Sequence, residues 1–214
     1  TCDDHQRQSS PCPHADMSLP QPFLALTFVV EVPSPVRAVF TEVLARIDAK
    51  GFVPLYESEY HLSLHQVRIP DATHLRVVSQ ILDDLAELWP LPTCRVVGLE
   101  RWHVKRDLRS TRFLVARHTF GRAWVNFIVE LRKRLKMAGY SCRRRHVVPH
   151  VTLLRSREHQ CLDLPSWIEL PRIEWAPESI SIVASDPGPP RQCIVHHQAL
   201  LGGGAGAMVS FGRV

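Results

Sequence analysis

The chain has 214 residues, 45% of them apolar, enough for one compact domain of two lobes with a real core. That content is ordinary for a globular protein, and no apolar run approaches the roughly 20 residues needed to span a bilayer, so no membrane role is expected. The formal charge of +5, with a pI near 9.1, points to an acidic partner, with nucleic acid the first candidate.

The first twenty residues, TCDDHQRQSSPCPHADMSLP, are polar and proline-rich and are expected to be disordered. They have neither the basic n-region nor the apolar h-region of a signal peptide. A threonine in first place suggests a piece or a processed product of a longer chain. FLALTFVVE, Phe23 to Glu31, has strand length. PSPVRAVFTEVLARIDAKG predicts a helix with Ser34 as N-cap, Pro35 in its first turn and Gly51 as its stop. Val36, Val39, Phe40, Val43, Leu44 and Ile47 share one face of it. The stretch around His61 is the next strand. A second helix, about Asp71 to Trp89, buries Leu75, Val78, Leu82 and Leu85 and ends at Pro90 and Pro92. CRVVGLERWHV and TRFLVARH follow as strands. GRAWVNFIVELRKRLKMAG predicts a third helix with Trp124, Phe127, Ile128, Leu131 and Leu135 on one face and Gly139 as its stop. HVVPHVTLL is a strand, as are residues 178–184 and 193–199, with turn chemistry in the DPGPP between them. The expected organisation is a tail over 1–20, one domain over 21–201 and a flexible tail over 202–214.

This order contains a repeat. Strand, helix and a strand bearing His-x-hydroxyl cover Phe23 to Val67, and the same succession covers Thr111 to Leu154. His61 and His150 are 89 residues apart. Moving the first helix face forward by 88 places Val36 on Trp124, Val39 on Phe127, Phe40 on Ile128, Val43 on Leu131 and Ile47 on Leu135; only Leu44, on Arg132, breaks the match. Two copies of one unit predict two lobes related by a pseudo-two-fold.

Strand side chains alternate, so His61, Ser63 and His65 are expected on one face, and His150 and Thr152 on one face of the second strand. Each strand then offers an imidazole and a hydroxyl roughly 7 Å apart. Facing each other across a cleft, two imidazoles can serve as base and acid near neutral pH, while two hydroxyls donate to the non-bridging oxygens of a phosphodiester. Twelve histidines yield two His-x-Ser/Thr matches, both with apolar residues between and on either side. Neither a metal nor another cofactor is expected, since no carboxylate cluster is evident and His196 and His197 lack ligand spacing.

YHLSLHQV and VVPHVTLLR together resemble the 2H phosphoesterase superfamily, defined by two H-x-[ST] motifs in a bilobal α+β fold. The resemblance spans about Phe23 to Ala199. It implies two pseudo-two-fold-related antiparallel sheets with helices packed outside, an acid-base pair in His61 and His150, and phosphate binding by Ser63 and Thr152. VPHVTLLR is similar to the second motif of the LigT-like branch of 2′-5′ RNA ligases and cyclic phosphodiesterases, where an arginine follows as Arg155 does here. IEWAPESISIVAS is similar to that branch's C-terminal strand. YHLSLHQV and LRSTRFLVA are closer to the branch that trims the uridine tail of U-six small nuclear RNA. SEYH, Ser58 to His61, is similar to the start of the motif in 2′,5′-oligoadenylate phosphodiesterases. HLSLHQV lacks the FLG of LigT-like proteins, and Thr152 stands where the snRNA-trimming branch has serine, so the branch stays open.

Beyond the tetrad, His65 is a substrate contact if it faces the cleft, and Arg145, in CRRRH, could hold a flanking phosphate or lie in a solvated loop. Tyr140 could stack on a base, while Trp102 is expected in the core with cleft lining as its alternative. The expected function is metal-independent RNA phosphodiesterase activity, by hydrolysis or by cyclisation, in 3′-end trimming or 2′,3′-cyclic phosphate processing. A 2′,5′-oligoadenylate phosphodiesterase and a non-catalytic RNA-binding module of the same fold are the alternatives. Six cysteines without C-x-x-C spacing suggest a reduced intracellular compartment, nuclear or cytoplasmic. The expected partner is RNA or an oligonucleotide, bound by a monomer.

Overall fold

Apolar runs of strand length, with three one-faced helices between them, build two antiparallel sheets in the computed structural model, which describes residues 24–89, 93–106, 109–142, 148–156, 164–185, 193–201 and 209–211. In chain order the elements are β1 (Leu24–Glu31), α1 (Ser34–Ala45), β2 (Phe52–Pro54), β3 (His61–Ile69), α2 (Leu75–Leu88), β4 (Cys94–Arg106), β5 (Arg109–Phe120) and α3 (Arg122–Met137). Then come β6 (Ser141–Cys142), β7 (His150–Ser156), β8 (Trp167–Trp175), β9 (Ser179–Ser185), β10 (Cys193–Leu200) and β11 (Val209–Phe211). The first sheet has the order β10-β9-β1-β3-β6 and the second β11-β8-β4-β5-β7-β2. The fold class is α+β, as expected.

The repeat is visible in this order. β3 lies beside β1 in the first sheet as β7 lies beside β5 in the second. The two units also exchange parts. β2, from the first unit, pairs with β7, while β6, from the second, pairs with β3. The helices cross over likewise. Phe40 of α1 meets the His118 ring of β5 at 6.5 Å, and Arg132 of α3 reaches His65 of β3. α2 covers β9 and β10. Both sheets thus bury one face against helices, each helix supplying an apolar stripe: Val36 and Phe40 in α1, Val78, Leu82 and Leu85 in α2, and Trp124, Phe127, Leu131 and Leu135 in α3.

Helix ends follow local chemistry. Gly139, at φ 87°, terminates α3 in the left-handed conformation that glycine adopts without strain, and the Tyr140 N–H closes the end on the Leu135 carbonyl at 2.9 Å. At α1 the expectation shifts by one residue. Pro33 occupies the cap position, and the Ser34 hydroxyl accepts from Arg37 at 2.9 Å instead of capping. α1 also stops at Ala45, so Gly51 serves the turn into β2. Asp71 accepts from the Thr73 N–H and opens a 3-10 turn, which delays α2 to Leu75. Val209–Phe211 pair with β8, a strand inside the stretch the sequence suggested as a loose tail; three residues are too few to show a period.

Candidate active site

Both motif strands carry a β-bulge at the same place. In β3, Ser63 opposes Val29 and His65 opposes Phe28, which leaves Leu64 as the extra residue. In β7, Thr152 opposes Val115 and Leu154 opposes Leu114, which leaves Leu153. The bulge follows the hydroxyl directly in each strand. Exposure then runs identically through the two: half-buried at His61 and His150, buried at Leu62 and Val151, half-buried at Ser63 and Thr152, buried at the next two residues, exposed at Gln66 and Arg155. A bulge puts two successive side chains on one side of a strand. Leu64 and His65, like Leu153 and Leu154, therefore both turn into the core.

This overturns the expectation for His65. Unbroken alternation would have placed it with His61 and Ser63, but the bulge sends it under α3, only 1% exposed. Its Nδ1 accepts from Arg132 Nε at 3.3 Å and its ring stacks near Phe28. Burial, then the neighbouring charges of Arg132 and Lys136, push its pKa down to about 4. Tyr140 is likewise buried rather than free to stack on a base: the closing turn of α3 aims it at the 3-10 turn before α2, where its hydroxyl lies 3.1 Å from His74 Nδ1. Arg145 lies outside the described residues.

The tetrad itself comes together where the sheets meet. β3 and β7 are in contact across the two sheets, and His61 and His150 are near enough for the charge of one to lower the pKa of the other. Each ring is anchored to the carbonyl two residues upstream, His61 to that of Glu59 and His150, through Nδ1, to that of Val148 at 2.8 Å. For His150 this leaves Nε2 as the free nitrogen when the ring is neutral. Burial is the main cause that lowers both pKa values below 6.5; the carbonyl contacts oppose it. The Ser63 and Thr152 hydroxyls sit on the same side as their histidines, and neither is engaged by another described side chain.

Two rows of neighbours complete the second sheet's side of the site. His150 stands opposite Arg117, which stands opposite Gly98; Arg155 stands opposite Phe113, which stands opposite Trp102. Trp102 is not in the core: its ring lies 4.4 Å from that of His150. Its indole donates to the Glu100 carboxylate, which also accepts from Arg117 at 2.9 Å. Gln66, the counterpart of Arg155 in the repeat, was not singled out from the sequence, although the 89-residue offset marks it. Among the described residues no group of three or more His, Cys, Asp or Glu is placed to hold a metal ion, and no helix is long and apolar enough to cross a membrane.

No family model matches this sequence, and no curated protein matches it. Solved structures do. A structure of TT0787 of Thermus thermophilus superposes with TM-score 0.68 at 20% identity, over 85% of this chain and 100% of that one. Escherichia coli LigT in apo form gives TM-score 0.60 at 18% identity, over 85% of this chain and 99% of that one. LigT complexed with 3′-AMP gives 0.59 at 16%, over 85% and 100%. This chain therefore has the fold of these proteins, the fold that its two motifs imply for a 2H phosphoesterase.

Proposed function

We propose that the chain is a 2H phosphoesterase that cleaves a phosphodiester at an RNA end, with His61 and His150 as the acid-base pair and Ser63 and Thr152 as phosphate ligands. The observation that carries this reading is the matched pair of bulged strands, each with an imidazole and a free hydroxyl on one side, in contact across the two sheets. Catalysis of this kind needs one histidine neutral and one protonated at the same time. Both histidines have lowered pKa values and the charge of His150 disfavours that of His61, which supports a working state with a single proton on the pair. The neutral ring takes the proton from the attacking oxygen, a water or the neighbouring 2′-hydroxyl. The protonated ring gives its proton to the leaving oxygen. Ser63 and Thr152 donate to the non-bridging oxygens as charge builds there. These steps draw on no metal.

RNA as the substrate class is supported by the net charge of +5, by Arg155 exposed beyond Thr152, and by the similarity to LigT, which was crystallised with 3′-AMP. Within that class we favour 3′-end trimming or processing of a 2′,3′-cyclic phosphate, because a 2′-hydroxyl beside the scissile phosphate is an intramolecular nucleophile. One chain supplies both histidines, so a monomer suffices. The test is product analysis on 3′-oligouridine RNA, 2′,3′-cyclic-phosphate RNA and 2′-5′ oligoadenylate in excess EDTA. Turnover of either of the first two is expected, at an undiminished rate. Rapid cleavage of 2′-5′ oligoadenylate with the others inert would overturn the choice of substrate, and RNA binding unaccompanied by any cleavage would overturn the enzyme.

A further inference from the structure

The two histidines are not equivalent in their surroundings. His61 stands opposite Glu31, an exposed carboxylate occupied with Arg37, and among the described residues no aromatic ring packs on it. His150 has an indole against it. Trp102 lies 4.4 Å away, ring centre to ring centre, tilted by 49°. That indole is itself fixed, since its N–H is committed to Glu100, and Glu100 is held by Arg117, the residue directly opposite His150. Among the described residues, the charged and titratable groups about His150 are Glu100 on β4, Arg117 and His118 on β5, His61 on β3 and Arg155 farther along β7. An aromatic face attracts a cation through its quadrupole, most strongly for tryptophan and where water is excluded. A clamped indole therefore does two things to an imidazole beside it: it narrows the ring's rotation, and it favours the imidazolium.

We propose that Trp102, clamped by Glu100 and Arg117, is a positioning residue for His150, which fixes its orientation toward the seam between the sheets and makes it, rather than His61, the carrier of the pair's single proton. This inference rests on the acid-base reading of the site and deepens it: His150 becomes the general acid and His61 the general base. The clamp offers a reason for the pairing of Trp102 with Glu100 two positions earlier on one face of β4, a spacing that core packing alone does not require.

The experiment follows the Cε1–H resonances of His61 and His150 by NMR as pH is varied, in the parent and in Trp102→Leu and Trp102→Phe, assigned with His61→Asn and His150→Asn. The expected result is a fall of the His150 midpoint by about half a pH unit to one unit in Trp102→Leu, with most of it restored in Trp102→Phe. The alkaline limb of kcat should move down with it, and kcat should fall about ten-fold or more with KM little changed. Trp102→Met, which keeps an adaptable apolar side chain, replaces the leucine variant if that one does not fold. A His150 midpoint that is unmoved or raised, or one shifted equally by phenylalanine and leucine, would overturn the proposal. The titration needs no turnover. A protein inactive on every RNA but showing the shift would therefore defeat the proposed function and leave the clamp standing.

Discussion

His65 makes the fold sensitive to acid, and replacing it should remove a defined part of that sensitivity. The ring is 1% exposed, its Nε2 has no hydrogen-bond partner, and its pKa is depressed to about 4 against 6.5 for a free histidine. Above pH 6.5 the ring is neutral folded or unfolded, and the depression is without effect. As pH falls from 6.5 toward 4 the unfolded chain takes up a proton that the folded chain refuses, so stability is lost through that window. The whole shift is worth about 3.4 kcal/mol, and by pH 4.5 about 2.5 kcal/mol of it is gone. His118, 2% exposed and also depressed to about 4, adds a similar amount. The matching position of the second unit is Leu154, which makes His65→Leu the natural perturbation. At pH 7 it should change stability by less than about 1.5 kcal/mol, since a buried polar group without full satisfaction is exchanged for an apolar one, and half-exposed Arg132 can turn to water. Urea unfolding of parent and variant at pH 7.0 and 4.5 measures the rest. The loss between the two should be smaller in the variant by about 2.5 kcal/mol. Equal losses, or a His65 resonance titrating near 6.5, would refute the reasoning.

Three further outcomes are expected. Because burial lowers both His61 and His150, and the charge of His150 lowers His61 further, the bell of kcat/KM against pH should peak on the acid side of 6.5; a maximum above pH 7.5 would contradict these environments. His61→Ala and His150→Ala should each reduce kcat by about 10² to 10⁴, and Ser63→Ala or Thr152→Ala by up to about 10² to 10³, so a hydroxyl variant as inactive as both histidine variants would upset the roles. Gly98→Ala should destabilise by about 1 to 3 kcal/mol, because its Cβ would stand 2.4 Å from the Trp167 ring and 2.9 Å from the Ile168 carbonyl; a thermal melt unchanged from the parent would show that the strand yields freely.

The sequence exposed the parts of this molecule that are periodic or repeated. The helix faces, from Val36 through Leu135, obey a 3.6-residue period and were readable one residue at a time. His61, Ser63, His150 and Thr152 stand out because two short motifs close two copies of one unit. What stayed hidden were features that no period marks. β2 and β6, three and two residues long, take their identity from partners in the other unit. Trp102 looked like a core residue because large aromatics usually are; only the strand order, with β5 between β4 and β7, brings it onto His150. His65 was misplaced by a rule that is correct for a regular strand. Tyr140 was misplaced because the turn at Gly139 decides its direction, and the spacing of aromatic residues does not report that turn.

The bulge also explains why His-x-hydroxyl is the unit that recurs. Ahead of it, regular alternation keeps the imidazole and the hydroxyl on one side, separated by a single core residue, Leu62 or Val151. Past it, two successive core residues anchor the strand, and the next exposed residue returns to the side of the imidazole and the hydroxyl three positions after the hydroxyl rather than two. That residue is Gln66 on one sheet and Arg155 on the other. The two lobes thus share the imidazole and the hydroxyl, and differ at this position. A neutral amide on one side and a guanidinium on the other make the two halves of the site electrostatically unequal. Under the proposed function, a strictly two-fold cleft would not distinguish the end of an RNA from its interior, and this difference in charge adds to the Trp102 contact on His150 in breaking that symmetry.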